Sequence, residues 1–111
     1  GQAMEGLELI AFQIISSVGT ARSCYIEAIQ AAKKGDYEEA AKMIEEGDAA
    51  FIEGHDAHAG LLQKEASGEG NTVNLLILHA EDQLMSAEAF KTIALEFIDA
   101  YKRIEALEKK D

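Results

Sequence analysis

The 111-residue chain contains no proline, no tryptophan and only one cysteine. Because proline breaks helix interiors, its complete absence leaves long helices uninterrupted. Residues that favour helix, such as alanine, leucine and glutamate, are abundant. The single Cys24 excludes an intramolecular disulfide, as is usual in a reducing cytoplasm, and we expect it to be a small packing residue. These features indicate an all-α protein, and the length indicates one domain over residues 1–111.

Basic residues are scarce: the chain has 10 lysines and arginines against 21 aspartates and glutamates, for a net charge of −11. Proteins that bind nucleic acid carry clustered Lys and Arg, and anionic membrane surfaces attract the same charge. We therefore expect neither nucleic acid nor direct membrane insertion. No apolar run approaches the length of a membrane span, so we expect a cytoplasmic protein.

Three segments have apolar residues at helical spacing, and they predict helices over about 4–34, 37–66 and 72–109. Two connections this short require an up-down-up antiparallel three-helix bundle. The second helix has small residues along one face, which would let a neighbouring helix approach closely. This face comprises Ala40, Met43, Gly47, Ala50, Gly54, Ala57 and Leu61.

Several residues are expected to cap or end the helices. Gly35 is expected to end the first helix in a left-handed conformation. Asp36 is expected to cap the second helix, with Glu39 three residues later completing a capping box. Asn71 or Thr72 is expected to cap the third helix.

The third helix has two apolar stripes. One can face the other two helices: Val73, Leu76, Ala80, Leu84, Ala87, Phe90, Ala94, Phe97, Tyr101 and Ile104. The other has nothing left to bury against within one chain: Leu75, Leu78, His79, Asp82, Met85, Ala89 and Ile93. Such a stripe on a soluble protein marks a partner surface, and closed homo-oligomers are the commonest arrangement. We therefore expect a homo-oligomer, the alternative being a surface for a different protein.

His79 and Asp82 are three residues apart on this second stripe, and Gln83 also neighbours His79. The presence of polar groups on an apolar, buried face needs an explanation, because burying a polar group without a hydrogen-bond partner is unfavourable. One explanation is an ordinary boundary histidine beside a carboxylate at the solvent edge. Another is nucleophilic catalysis, in which a neutral imidazole attacks a phosphoryl group and holds it as a phosphoramidate.

A metal site is the third explanation. His55 and His58 have the helical spacing that can bind a metal, and they would join His79 and Asp82 as ligands. The Glu-x-x-His pairs of di-iron bundles are absent from the sequence, since no glutamate stands three residues before a histidine. Residue chemistry alone leaves the three explanations open.

Residues 74–85, Asn-Leu-Leu-Ile-Leu-His-Ala-Glu-Asp-Gln-Leu-Met, resemble the active-site helix of a known family. This family is the lactose/cellobiose-type enzyme IIA of the bacterial phosphoenolpyruvate-dependent sugar phosphotransferase system. The similarity covers nearly the whole chain. Residues 7–32 resemble the family's first helix, residues 34–40 its first turn, and residues 53–55 with 61–63 its late second helix.

The resemblance implies that His79 is the histidine that becomes phosphorylated. Asp82 matches a carboxylate that, in the family's trimers, meets its two copies on the threefold axis and binds a divalent metal. Mg²⁺ fits such a set of oxygen ligands. The implied assembly is a nine-helix homotrimer of three-helix bundles. The implied phosphoryl donor is the histidine-containing carrier HPr, and the acceptor is a cysteine of the cognate enzyme IIB.

A mid-helix histidine has no helix N-terminus to hold its phosphate. Gln83, a neighbouring subunit or the partner protein is therefore expected to supply the hydrogen-bond donors for a phosphate on His79. We expect His55 to lie near this site. The nearby carboxylates of Glu81 and Asp82 would make a lasting phosphate less favourable, which suits a relay.

The function that the resemblance implies is phosphotransfer during uptake of a β-linked disaccharide such as lactose, cellobiose or chitobiose. His58 stands where some relatives have glutamine. The alternative function is a non-catalytic metal-binding helical bundle or interaction module.

Overall fold

The computed structural model describes residues 2–69 and 74–110. It contains three helices, α1 Gln2–Lys33, α2 Tyr37–Ala66 and α3 Leu75–Glu108, and no strand occurs in these residues. α1 packs along both other helices, whereas α2 and α3 contact each other much less. The bundle measures 67 × 19 × 19 Å, as expected for long helices side by side. The predicted all-α three-helix bundle is confirmed.

The start of α3 differs from the prediction. The predicted caps, Asn71 and Thr72, lie outside the described residues, as does Val73 of the first stripe. The structure has Asn74 as the cap instead: its backbone is extended, and its side-chain oxygen accepts a 2.9 Å hydrogen bond from the backbone N–H of Ile77. Asparagine favours this position over a helix interior, which explains the error. The other helix bounds lie within two residues of the predicted ones.

The turn between α1 and α2 is a Schellman motif. Gly35 has φ +85°, and the N–H groups of Gly35 and Asp36 donate to the carbonyls of Ala32 and Ala31, both at 2.9 Å. Asp36 also caps α2, because its side chain accepts from the N–H of Glu39 at 3.1 Å. The predicted capping box is wrong, since the Asp36 N–H is already bonded to Ala31.

The core runs along α1. Most of its apolar residues at helical spacing are buried, whereas Leu7, Ile10 and Ile29 are only partly buried. The buried ones are Ala11, Ile14, Val18, Ala21, Tyr25, Ala28 and Ala32. The small-residue face of α2 packs against it, with Ala40, Gly47, Gly54 and Leu61 buried. α3 contributes Ile77, Ala80, Leu84, Ala87 and Ala94. Of these, Ile77 belongs to neither predicted stripe.

α1 is apolar over much of its length because it faces two other helices. By length and composition alone, Gly6–Lys33 would be able to cross a membrane. The expectation that no segment approaches the length of a span is therefore wrong by this measure. The core helix of a soluble bundle has the same composition, since its apolar side chains contact its neighbours.

Two glycines of α2 allow the close approach of α1. A Cβ atom at Gly47 would lie 2.6 Å from Cε1 of Tyr25, and one at Gly54 would lie 2.7 Å from Cγ1 of Val18. Both neighbours are fully buried and have no space to move into. The predicted close approach of a neighbouring helix to the small-residue face is confirmed, and that helix is α1.

Gly47→Ala is therefore expected to destabilise the protein by about 1–3 kcal/mol through overpacking against Tyr25. Gly60→Ala is the matched control: Gly60 is also inside α2, but nothing lies within 4 Å of its Cβ position. The control should stabilise the protein by about 0.5–1 kcal/mol, because alanine favours helix. Urea unfolding at one protein concentration measures both. Equal effects of the two substitutions would contradict the packing described.

Candidate functional site

α3 places His79 in its second turn. Asn74 fixes the start of the helix, so the backbone N–H of residue 79 is already bonded within the helix. The His79 and Asp82 side chains are exposed, and Gln83 is half-buried. Within residues 2–69 and 74–110 these three side chains make no hydrogen bond or ion pair. All three groups are therefore available to a ligand or a second protein.

The surface around His79 is apolar and uncovered. Leu75, Leu78, Met85 and Ile93 are 82%, 50%, 69% and 45% exposed. Among the described residues the second stripe therefore has no covering partner, as predicted. An exposed apolar surface of this kind is typical of a protein contact. We call it the open face of α3, and it comprises Leu75, Leu78, His79, Asp82, Met85, Ala89 and Ile93.

Polar contacts between α2 and α3 fix the register beside the open face. Lys91 Nζ donates to Asp48 Oδ2 at 3.1 Å, and His58 Nε2 lies 2.9 Å from Glu81 Oε1. The two contacts are ten residues apart on each helix, as antiparallel packing requires. The buried Tyr25 hydroxyl also donates to Asp48, at 2.7 Å, which links all three helices. Burial, followed by this bond to Asp48, raises the pKa of Tyr25.

In the hydrogen bond between His58 and Glu81, the imidazole is the donor and the carboxylate is the acceptor. An ionised carboxylate can only accept, so Nε2 of His58 donates to Oε1 of Glu81. The His58 side chain is 17% exposed and that of Glu81 is 42% exposed. Glu81 is two residues from His79, so the two side chains project from nearly opposite sides of α3. The sequence analysis did not pair these residues, because periodicity does not reveal the register between two helices.

His55 makes its contacts within α2. Its ring centroid is 5.9 Å from that of Phe51, its Nδ1 is 3.9 Å from Asp56 Oδ1, and its side chain is 60% exposed. No hydrogen bond, ion pair or ring contact joins it to α3 in the described part of the chain. A supporting role for His55 would therefore require another copy or a partner protein, and it stays a prediction.

The three histidines do not converge within one chain. His58 is bonded to Glu81, and His55 contacts residues of its own helix. His79 makes no hydrogen bond or ion pair within the described part of the chain. Among the described residues no group of three His, Cys, Asp or Glu side chains could hold a metal ion. The four-residue metal site considered from sequence is therefore not formed in a single chain. A metal at Asp82 would need ligands from further copies.

Comparison with known proteins assigns the family. Residues 9–102 match the family described as "PTS system, Lactose/Cellobiose specific IIA subunit". The matched region includes the open face of α3. The chain belongs to this IIA family. As a IIA component of the phosphotransferase system, it takes part in phosphotransfer during sugar uptake.

Curated relatives of this IIA component are named for different sugars. It is 43% identical over 100 residues to the lichenan-specific phosphotransferase enzyme IIA component of Bacillus subtilis (strain 168), covering 90% of this chain and 91% of the relative. The oligo-beta-mannoside-specific EIIA component of the same strain is 40% identical over 95 residues, 86% of each chain. The lactose-specific EIIA component of Staphylococcus aureus (strain N315) is 36% identical over 99 residues, 89% of this chain and 96% of the relative.

Solved structures of IIA proteins have the same fold. The crystal structure of the PTS cellobiose-specific enzyme IIA from Bacillus anthracis superposes with a TM-score of 0.86 at 43% identity, covering 88% of this chain and 90% of that one. PtcA from S. mutans superposes with a TM-score of 0.86 at 34% identity, covering 88% and 96%. These similarities confirm the three-helix fold of the IIA component.

Cys24 also has nucleophilic potential, but it lies in the interior of the bundle. Burial, together with the charges of Glu27 and Glu46, raises the pKa of its thiol. A buried thiol with a raised pKa is a poor nucleophile. The prediction that Cys24 is a packing residue is consistent with its burial.

Cys24 is therefore expected to react with a disulfide reagent at least ~10-fold more slowly in the native protein than in urea, because its thiol is both buried and protonated. Absorbance of the released thiolate at pH 8 measures both rates. Similar rates in the native and unfolded protein would contradict the burial of Cys24.

Proposed function

We propose that this IIA component is a phosphocarrier whose His79 accepts a phosphoryl group from phosphorylated HPr. His79 then passes the group to a cysteine of the cognate enzyme IIB, in the cytoplasm, during uptake of a β-linked disaccharide such as lactose, cellobiose or chitobiose. The observation that carries the proposal is the exposed His79 imidazole on the open face of α3. This part of α3 offers a nucleophile that a partner protein can reach, on a surface suited to protein docking.

The two transfers have the same chemistry. A neutral ring nitrogen of His79 attacks phosphorus, the N–P bond of the donor histidine breaks, and the donor imidazole leaves with its electron pair. In the second transfer a cysteine thiolate attacks the same phosphorus, an S–P bond forms, and the bond to His79 breaks. The protein contributes mainly positioning and charge stabilisation to such reactions.

Hydrogen-bond donors for the phosphoryl oxygens must come from side chains, because the N–H of residue 79 is used within α3. Gln83 is one turn further along and half-buried, so its amide is a donor that the described part of this chain offers. A second copy or the partner protein supplies any others. Asp82 on the other side of His79 disfavours a permanent phosphate, as a relay requires.

We propose that the apolar part of the open face is the contact surface of a nine-helix homotrimer. By helix geometry His79 lies at the edge of this surface, next to Gln83, where HPr and enzyme IIB can still reach it. Its apolar side chains, Leu78 and Met85 among them, would then be buried between copies. Asp82 lies in the middle of this surface, so a threefold axis there brings three carboxylates together. Such carboxylates repel strongly where water is scarce.

A divalent cation, most suitably Mg²⁺, fits this arrangement. Asp82 offers a carboxylate without an ion-pair partner among the described residues, and hard cations prefer oxygen ligands. When bound, the metal would supply the positive charge that allows three copies of Asp82 to meet. The residues that carry and surround the phosphoryl group remain His79 and Gln83.

Incubation with phosphoenolpyruvate, enzyme I and HPr is expected to label the protein with acid-labile, base-stable phosphate, as a phosphoramidate should be. His79→Ala is expected to abolish the label, whereas His55→Ala, which changes another exposed histidine, should keep it. Radiolabelled phosphoenolpyruvate and alkaline gel electrophoresis measure the result. An undiminished label in His79→Ala would contradict the proposal.

Metal analysis combined with light scattering tests the trimer and its cation. The wild type is expected to be a trimer with a bound divalent cation, and Asp82→Leu to lose the cation but remain a trimer, because leucine extends the apolar surface and removes charge repulsion. His55→Ala should bind metal as the wild type does. Metal lost in His55→Ala and kept in Asp82→Leu would favour the metal-binding bundle instead.

A further inference from the structure

His79 projects from α3 on the side of α1. Phe90 marks this side, because the centroid of its ring is 5.9 Å from Cζ of Arg22 in α1. His79 is eleven residues before Phe90, which is three turns of helix to within ~20°, so both side chains project in nearly the same direction. Leu78 lies on the other side of Asp82. A protein that approaches His79 from outside the proposed trimer contact therefore meets α1 as well.

Phe12 is the residue of α1 that lies level with His79. α1 and α3 run in the same direction in the up-down-up bundle. Phe12 is ten residues before Arg22, and His79 is eleven residues before Phe90, so both are ~15–17 Å along the bundle from the contact between Arg22 and Phe90. The Phe12 side chain is 59% exposed. It therefore borders the groove between α1 and α3 on the side opposite His79.

The outer surface of α1 around Phe12 is uncharged. Residues 9–21 contain no charged side chain, in a chain of which 28% is charged. Leu9 is 70% exposed, Ser16 is exposed, and a Cβ atom at Gly19 would have nothing within 4 Å. All three residues lie within ~60° of Phe12 around the helix. We call this surface the α1 shoulder, and it comprises Leu9, Phe12, Ser16 and Gly19.

We propose that the α1 shoulder is the docking surface for HPr. The inference rests on the proposed function, in which phosphorylated HPr gives its phosphoryl group to His79. During that transfer the phosphorus atom lies between the two imidazoles, so His79 has to be near the centre of the contact.

The size of a protein contact extends it over α1. A specific contact covers ~800 Å² of each partner, which corresponds to a disc of ~16 Å radius. Phe12 is level with His79 across one groove, and Gly19 is only ~10 Å further along α1. Both fall inside such a disc. Exposed aromatic and apolar residues without charged neighbours are typical of the centre of a protein contact.

The test measures initial rates of phosphorylation by HPr at several concentrations of the IIA component, with HPr kept phosphorylated by enzyme I and phosphoenolpyruvate. Phe12→Ala is expected to lower kcat/KM roughly fivefold or more through a higher KM, because it removes an anchor of the contact. Gly19→Gln should have a similar effect by obstructing the contact, without disturbing the fold.

Two substitutions are matched controls. Leu95→Ala removes another exposed apolar side chain, ~24 Å beyond His79 along α3. Gly60→Gln adds the same bulk at another glycine whose Cβ position has nothing within 4 Å. Gly60 lies on nearly the opposite side of α2 from His58, which contacts α3. Both controls should keep kcat/KM within about twofold of the wild type.

A small phosphoryl donor separates docking from the reactivity of His79. Phosphoramidate needs no docking surface: the His79 imidazole attacks its phosphorus, the N–P bond of the reagent breaks, and ammonia leaves. All four variants should react with phosphoramidate as fast as the wild type. Light scattering should show the same assembly for each of them.

Three results would overturn the inference: a kcat/KM with HPr within about twofold of the wild type in Phe12→Ala or Gly19→Gln, an equal loss of rate with phosphoramidate, or a loss of assembly in these two variants. The last result would show that a second copy of the chain covers the α1 shoulder. All three leave phosphorylation of His79 standing. A wild type that HPr does not label would instead overturn the proposed function, and this inference with it.

Discussion

The packing of α1 against both other helices determines what the rest of the molecule can do. Gly47 and Gly54 let α2 lie directly on Tyr25 and Val18, and α3 occupies another side of the same helix. Among the described residues no helix covers the far side of α3, so its apolar stripe is exposed in a single copy of the chain. Because the core forms around α1, one side of α3 is left uncovered, and this side is the open face that carries His79.

The same arrangement separates Cys24 from His79. Cys24 belongs to α1 and is buried, and its pKa is raised. His79 belongs to the uncovered side of α3 and has no hydrogen-bond partner among the described residues. Because a phosphocarrier must meet two different proteins in succession, its nucleophile has to be exposed on a surface that both can reach. The exposed position of His79 on α3 suits it to that task.

The sequence predicted those features that depend on one helix at a time. The bounds of α2, the left-handed Gly35 and the exposed stripe of α3 all follow from local pattern. Other features depend on neighbouring groups or on other helices. The N–H of Asp36 was already bonded to α1, and the pairing of His58 with Glu81 required a register that no periodicity contains. The burial of Ile77 likewise follows from where α1 and α2 lie.

Peptide mapping of the phosphorylated protein tests the central claim most directly. Trypsin cleaves after Lys64 and Lys91, so residues 65–91 contain His79 alone, while residues 43–64 contain both His55 and His58. The protein would be phosphorylated through HPr, digested at alkaline pH and analysed by mass spectrometry. The account predicts one phosphoryl group on the peptide of residues 65–91. A phosphoryl group on residues 43–64, or none on either peptide, would contradict it.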